Sequence, residues 1–286
     1  MRILVTGAAG RLGGKLVQVL GQHHDVTGID IQELDITDFH TTKAFITDLS
    51  PDLVIHPAAW TDVDGCARDP QRAIIVNGFG AQHVALGAAA VDAGILYVST
   101  NEVFDGRRET PYYEYDTPNP VNPYGYSKWV GEQTVQRANP KHYVIRTSWL
   151  FAHGGVNFIQ KVLEAARAGK PLKIVTDEIA NPTYNDDLVY AIQTFIATER
   201  YGIYHFVNEG ECSRYDFARY FLDKAGYQQT SIEPLLLNDW PRASMPPKFT
   251  SLCNLAGKQI GITLRPWQEA VDAFLANEGL LTHDKA

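Results

Sequence analysis

The chain has 286 residues, 45% of them hydrophobic and 20% charged, with a formal net charge of -8. That size and balance suit one large α/β domain or a dinucleotide domain with a smaller partner, and the acidic surplus argues against general nucleic-acid binding, which needs a basic face. Cys66, Cys212 and Cys253 are far apart with no CxxC, so they suggest neither a disulfide framework nor a metal site and point to a reducing, cytoplasmic setting.

In chain order, Ile3–Thr6 predicts a strand that feeds directly into glycines and does not read as a signal peptide. Lys15–Leu20 lies in the helix that follows. Asp25–Asp30 predicts a second strand, with a short apolar patch at Leu34–Ile36, a helix at Thr41–Leu49 and a strand at Asp52–His56. Arg72–Ala93 reads as a long helix with small residues on one face, and Leu96–Thr100 as the next strand. The apolar window Ala81–Val98 is interrupted by Gln82, His83 and Asp92, so it splits into helix and strand instead of spanning a membrane. A helix at Tyr126–Arg137 and a strand at Tyr143–Thr147 complete an alternating pattern. Alternation of this kind predicts right-handed crossovers and a Rossmann-type, doubly wound parallel α/β sheet, with residues 1–148 as the dinucleotide-binding domain. Beyond it, proline-bearing loops separate short helices at Asn157–Ala168 and Arg214–Lys224. Residues 149–286 read as a smaller C-terminal α/β substrate-binding lobe, with 185–206 returning to the main sheet and a frayed tail from about Leu280.

Gly7-Ala8-Ala9-Gly10-Arg11-Leu12-Gly13 follows a strand and opens a helix. Gly7 permits a tight turn, Gly10 lets backbone amides approach a pyrophosphate, and Gly13 allows helix to pack closely on strand. Asp30 ends the second strand, where an acid bonds the adenosine ribose hydroxyls and favours NADH. Arg11, a cation in the loop, could offset that charge and admit NADPH. The cofactor is therefore NADPH or NADH. Asp35 and Ile36 are candidates for the adenine site, and Ala58, Ala59 and Trp60 for backbone lying against the cofactor. Asn77 reads equally as a cofactor contact and as a structural hydrogen-bonder.

Thr100 ends a strand at the carboxyl edge of the sheet, where open α/β folds bind ligands. Tyr124-Gly125-Tyr126-Ser127-Lys128 places Tyr124 and Lys128 four residues apart, on one helix face. The chemistry of that pair is a phenol as acid-base group, a cation one turn away stabilising the phenolate, and an ammonium that can bind the nicotinamide ribose. Thr100 can orient a substrate carbonyl toward Tyr124.

The glycine loop, Ser99-Thr100-Asn101-Glu102-Val103-Phe104-Asp105-Gly106 and the Tyr124–Lys128 segment resemble the extended short-chain dehydrogenase/reductases. Ala58 to Asp64, Arg146-Thr147-Ser148-Trp149-Leu150-Phe151 and Asn181-Pro182-Thr183-Tyr184 narrow the resemblance to the dTDP-4-dehydrorhamnose reductase family, over nearly the whole chain. The resemblance implies a nucleotide-sugar substrate and NAD(P)H-dependent reduction of dTDP-6-deoxy-L-lyxo-4-hexulose at C4 to give dTDP-L-rhamnose. It implies a catalytic triad of Thr100, Tyr124 and Lys128, and substrate contacts from Thr100, Asn101 and Trp149. The chain departs from the family pattern at Asn101-Glu102, Arg11 and His56-Pro57. Lys15 stands near where some relatives place acidic side chains at a metal-bridged dimer, so no metal is expected and the assembly is a monomer or homodimer.

Two other functions fit parts of the pattern. A nucleotide-sugar 4,6-dehydratase needs a general acid at position 101, which the amide of Asn101 cannot supply. A non-catalytic NADP-binding regulatory subunit, of the kind that partners methionine adenosyltransferase, shares the fold, and fold alone does not fix function. Glu102 reads equally as a loop acid and as a substrate contact. Arg242 and Lys248 read first as surface cations and second as ligands for the substrate pyrophosphate, and Arg146 as half of a structural ion pair. Neither a membrane nor a nucleic acid is an expected partner.

Overall fold

The computed structural model describes residues 1–155 and 157–281. The first half alternates as the sequence pattern requires: β1 (Arg2–Thr6), α1 (Arg11–Leu20), β2 (Asp25–Ile29), α2 (Phe39–Leu49) and β3 (Leu53–His56). Then come α3 (Val63–Arg68), α4 (Pro70–Ala73), a π-helical turn at Ile74–Gly80, and α5 (Ala81–Ala90), the last three forming one unbroken helix. After these follow β4 (Gly94–Thr100), α6 (Pro123–Ala138) and β5 (His142–Thr147).

β3, β4 and all but the first residue of β5 are buried along their whole length, as strands covered on both faces must be. Six strands pair in parallel in the order β10-β5-β4-β3-β1-β2. The chain order reverses beside β1, which is the switch point where such sheets open a crevice. On one face, Leu12, Leu16 and Val19 of α1 pack with Leu188, Ile192 and Phe195. On the other, Ile46 of α2 packs with Val84, Ala85 and Ala88 of α5. The window Ala81–Val98 is thus a packed helix followed by the start of β4.

After β5 the chain gives β6 (Leu150–Phe151), α7 (Phe158–Arg167), β7 (Leu172–Val175), β8 (Ile179–Ala180) and β9 (Thr183–Tyr184). Next, α8 (Asn185–Phe195) lies against α1, and β10 (Gly202–His205) pairs with β5 at the edge of the sheet. The remainder is β11 (Cys212–Ser213), α9 (Arg214–Lys224), β12 (Ile232–Leu235), α10 (Leu255–Gln259) and α11 (Trp267–Asn277). A second core gathers here from α7, α9 and α11, built on Ile159, Leu163, Phe217, Phe221, Trp267 and Phe274. The tail expected to fray from Leu280 lies, from residue 282 onward, outside the described residues.

Two ties join the segment before α10 to the sheet's carboxyl edge. Asn101 donates to the Thr250 hydroxyl at 2.6 Å, and Asp64 at the start of α3 accepts from the Ser244 amide at 2.9 Å and pairs with Arg242 at 3.3 Å.

Candidate active site

A cleft of about 970 Å³ opens at the carboxyl edge of the sheet. Gly7, Gly10, Arg11, Leu12, Gly13, Asp30, Asp35, Ile36, Ala58, Ala59, Trp60, Thr100, Asn101, Tyr124, Lys128 and Trp149 all line it. These positions were singled out from separate stretches of sequence, and the fold brings them to one cavity.

Its β1–α1 end is shaped by absent side chains. Gly7 has φ +64°, and a Cβ there would lie 2.9 Å from the Ala58 Cα. A Cβ on Gly13 would come within 2.1 Å of the Gly7 carbonyl oxygen, so only glycine lets α1 seat on the turn. Gly10 is the N-cap of α1 and offers no capping side chain, which leaves first-turn amides for an anion. These residues fit a dinucleotide pyrophosphate. Asp30 accepts the Ala9 amide at 2.9 Å and the Ile31 amide at 2.8 Å, so the acid at the end of β2 also holds the glycine loop in shape. Arg11 reaches the other way: its guanidinium lies 3.6 Å from where a Cβ on Gly155 would stand. Asp35 accepts from the amide and hydroxyl of Thr37 at 2.9 and 2.8 Å, and the Ile36 carbonyl bonds the His83 ring at 3.0 Å.

Asn77 resolves to its structural role. Its Oδ1 accepts the Trp60 amide at 2.7 Å, and its Nδ2 donates to the Trp60 carbonyl at 3.0 Å and the Ser127 hydroxyl at 2.9 Å. The π turn carries this side chain, which pins the Ala58–Trp60 loop to α6. Such turns recur at functional sites.

Thr100 closes β4, opposite Thr147 at the end of β5, and the buried Thr147 hydroxyl has no protein partner among the described residues. Asn122 caps α6 by accepting the Gly125 amide at 2.8 Å, and Pro123 occupies the first turn. The helix therefore starts before Tyr124, three residues earlier than the pattern predicts, and Tyr124 and Lys128 share its face. Burial pushes the Tyr124 phenol above its ordinary value, the Glu102 carboxylate adds to this, and a hydrogen bond with Thr100 opposes it. Burial pushes Lys128 down to about 7, against the pull of Glu132. The expected stabilisation of the phenolate by its neighbour is thus not the dominant effect. Burial drives each group toward its neutral form, and Tyr124 keeps its proton.

Beneath the site, Glu132 accepts Arg146 through two nitrogens at 2.8 and 2.9 Å and the Ser99 hydroxyl at 2.5 Å. All three residues are buried, and the shared carboxylate locks α6 to β4 and β5. His56 is buried with its Nδ1 on the Thr6 hydroxyl at 2.7 Å, and burial together with Lys128 holds it down at about 3, so it is neutral.

The opposite wall carries Trp149 at φ +42°, a conformation that strains a non-glycine residue. The Arg214 guanidinium covers its ring at 3.5 Å and is anchored on Glu178 at 3.1 Å. Arg242 and Lys248 are engaged with Asp64 and Asp177. Arg214 and Glu102 also line the cleft. Arg214, 114 positions from Thr100, had no motif to mark it, and only the fold brings it to the site.

The RmlD substrate binding domain model matches residues 1–279. A dTDP-4-dehydrorhamnose reductase from Mycolicibacterium smegmatis is 37% identical over 287 residues, covering 98% of this chain and 87% of that one. A crystal structure of a dTDP-4-dehydrorhamnose reductase from Clostridium acetobutylicum is similar at TM-score 0.94, with 34% identity over 98% of this chain and 100% of that one. A dTDP-4-dehydrorhamnose reductase from Bacillus anthracis, solved in complex with NADP, gives TM-score 0.93 and 33% identity over 96% and 99% of the two chains. The chain belongs to the RmlD substrate binding domain family, that of the dTDP-4-dehydrorhamnose reductases, and is an NAD(P)H-dependent oxidoreductase of Rossmann fold.

Proposed function

We propose that this enzyme reduces the C4 ketone of a dTDP-linked 6-deoxy-4-keto hexose, with dTDP-6-deoxy-L-lyxo-4-hexulose as substrate and dTDP-L-rhamnose as product. The observation that carries the reading is the joining, in one cleft, of a glycine cradle with Thr100, Tyr124, Lys128 and Trp149. The names of the relatives supply the substrate class.

When bound, the reduced nicotinamide supplies a hydride to the carbonyl carbon. The chain supplies the rest. Gly7, Gly10, Leu12 and Gly13 seat the pyrophosphate, with Arg11 at its side. Asp30 serves the adenosine ribose, Asp35 and Ile36 the adenine, and Ala58–Trp60 the face of the cofactor. Thr100 orients the carbonyl oxygen, and Tyr124, held protonated by burial, gives its proton to the alkoxide as that charge develops. Lys128 hydrogen-bonds the ribose and returns positive charge beside the phenolate left behind. Asn101 borders the sugar near Thr100, and Trp149 packs on its ring. The active unit is a monomer or homodimer acting in the cytoplasm.

The test is loss of reduced-nicotinamide absorbance when the purified protein meets dTDP-6-deoxy-L-lyxo-4-hexulose, run separately with NADH and NADPH. Oxidation yielding dTDP-L-rhamnose supports the reading. Tight cofactor binding without oxidation on this or any other dTDP-4-keto sugar overturns it in favour of a binding subunit.

A further inference from the structure

Glu102 follows Thr100 in a single turn of 3-10 helix (Asn101–Val103), lines the cleft and is half-buried. Its side chain is fixed by Asn122. Because Asn122 Oδ1 already accepts the Gly125 amide at 2.8 Å, its amide nitrogen faces Glu102 and donates to Oε2 at 2.6 Å. The backbone is fixed as well: the Glu102 amide donates to Thr100 Oγ1 at 3.3 Å, and a Cβ on Gly125 would come within 2.0 Å of the Glu102 carbonyl oxygen. Glu102 is therefore wedged between Thr100 and the first turn that carries Tyr124.

Its remaining oxygen, Oε1, receives no hydrogen bond among the described residues. The charged and titratable groups facing this carboxylate are the Tyr124 phenol, the Cys66 thiol, the Glu178 carboxylate and the guanidiniums of Arg214 and Arg242. Neither cation pairs with Glu102, since Arg214 is held by Glu178 at 3.1 Å and Arg242 by Asp64 at 3.3 Å. A carboxylate oxygen fixed in the cleft beside the reacting groups, with no protein donor, is placed to take a donor from the ligand.

Resting on the keto-sugar reading above, we propose that Oε1 of Glu102 accepts a hydrogen bond from the hydroxyl on C3, the carbon next to the ketone, and so selects the sugar. Burial raises this carboxyl to about 7. When it protonates, Oε2 must still accept from Asn122, so the proton sits on Oε1 and turns an acceptor into a donor. Glu102→Gln reproduces that state permanently, because its carbonyl faces Asn122 and its amide nitrogen replaces Oε1.

The experiment compares wild-type and Glu102→Gln enzymes on the dTDP-4-keto sugar and on its 3-deoxy analogue, from pH 5.5 to 8.5 at saturating NADPH. Wild-type KM should rise as pH falls through about 7, whereas the variant's KM should vary less with pH and be about tenfold higher at pH 8. On the 3-deoxy analogue the variant's penalty should vanish. A variant with the wild-type KM and pH profile, or one equally impaired on both sugars, overturns the contact. A wild-type enzyme that turns over none of the dTDP-4-keto sugars overturns the parent reading instead, and the substrate assigned to Glu102 with it.

Discussion

The Lys128 ammonium stands 4.1 Å from the centroid of the Tyr97 ring, and His56 stacks on that same ring at 5.8 Å. A cation–π contact replaces only part of the water the ammonium gives up, so this lysine is held at about 7 by burial. Its native pKa lies below the unfolded value, so between about 7 and the ordinary lysine range the unfolded chain binds more protons, and stability rises with pH there. The destabilisation is largest below 7.

Lys128→Met, which keeps an apolar stem against Tyr97, should therefore raise the thermal midpoint of the cofactor-free protein by several degrees at pH 6 and by less at pH 10. The same change should remove turnover. Thermal melts across that pH range check it, and a midpoint lowered at pH 6 would contradict the account.

Tyr124→Phe removes the proton donor and leaves the glycine cradle untouched. The rate of keto-sugar reduction should fall by about 10²–10⁴-fold, while NADPH affinity, followed by fluorescence titration, should change by less than twofold. A loss of cofactor affinity as large as the loss of rate would remove Tyr124 from the proton-transfer role.

Asp30→Ala discriminates two functions of one carboxylate. If the acid acted only by repelling a 2′-phosphate, its loss would strengthen NADPH binding and spare NADH. Because it also holds the Ala9 amide at 2.9 Å and serves the adenosine ribose, NADH affinity should fall by about tenfold and NADPH affinity by less. Calorimetric titration with both cofactors gives the answer, and unchanged NADH affinity would sink both the loop-holding and the ribose role.

Glu132→Gln leaves Arg146 buried with half its partner gone. Loss of a buried partner costs about 3–5 kcal/mol, so urea unfolding should show a drop of that order in stability. A change below about 1 kcal/mol would mean that the Glu114 carbonyl and His205 suffice to hold Arg146.

The first half of this fold was legible because its strands are short apolar runs with a glycine loop at the right place, signals that depend on local period and spacing. The site was legible wherever local spacing carries the chemistry, as between Tyr124 and Lys128. Residues whose partners lie far along the chain were not. The Thr250 partner of Asn101 is 149 positions away, and Arg214 meets Trp149 from a distant stretch of the chain. The start of α6 was misjudged because Asn122 and Pro123 read as loop residues, although together they make an N-cap and first turn. The balance of charge between Tyr124 and Lys128 was not legible for a different reason. Burial is a property of the folded molecule, and here it outweighs the attraction between a cation and a phenol one turn apart.

The wide turn at Ile74–Gly80 gives the helix from Pro70 to Ala90 an unusual intolerance. Deleting one residue between Asn77 and Ala81 would shorten the helix by about 1.5 Å and swing Asn77 by about 100° relative to everything after it. Helical content and the apolar face of α5 would survive, but the three hydrogen bonds that carry the Trp60 loop could not be re-formed. Length variation, harmless in the surface loops of such enzymes, is thus closed to this helix, and a change in its residue count is a cleaner mark of lost cofactor binding than any single substitution along it.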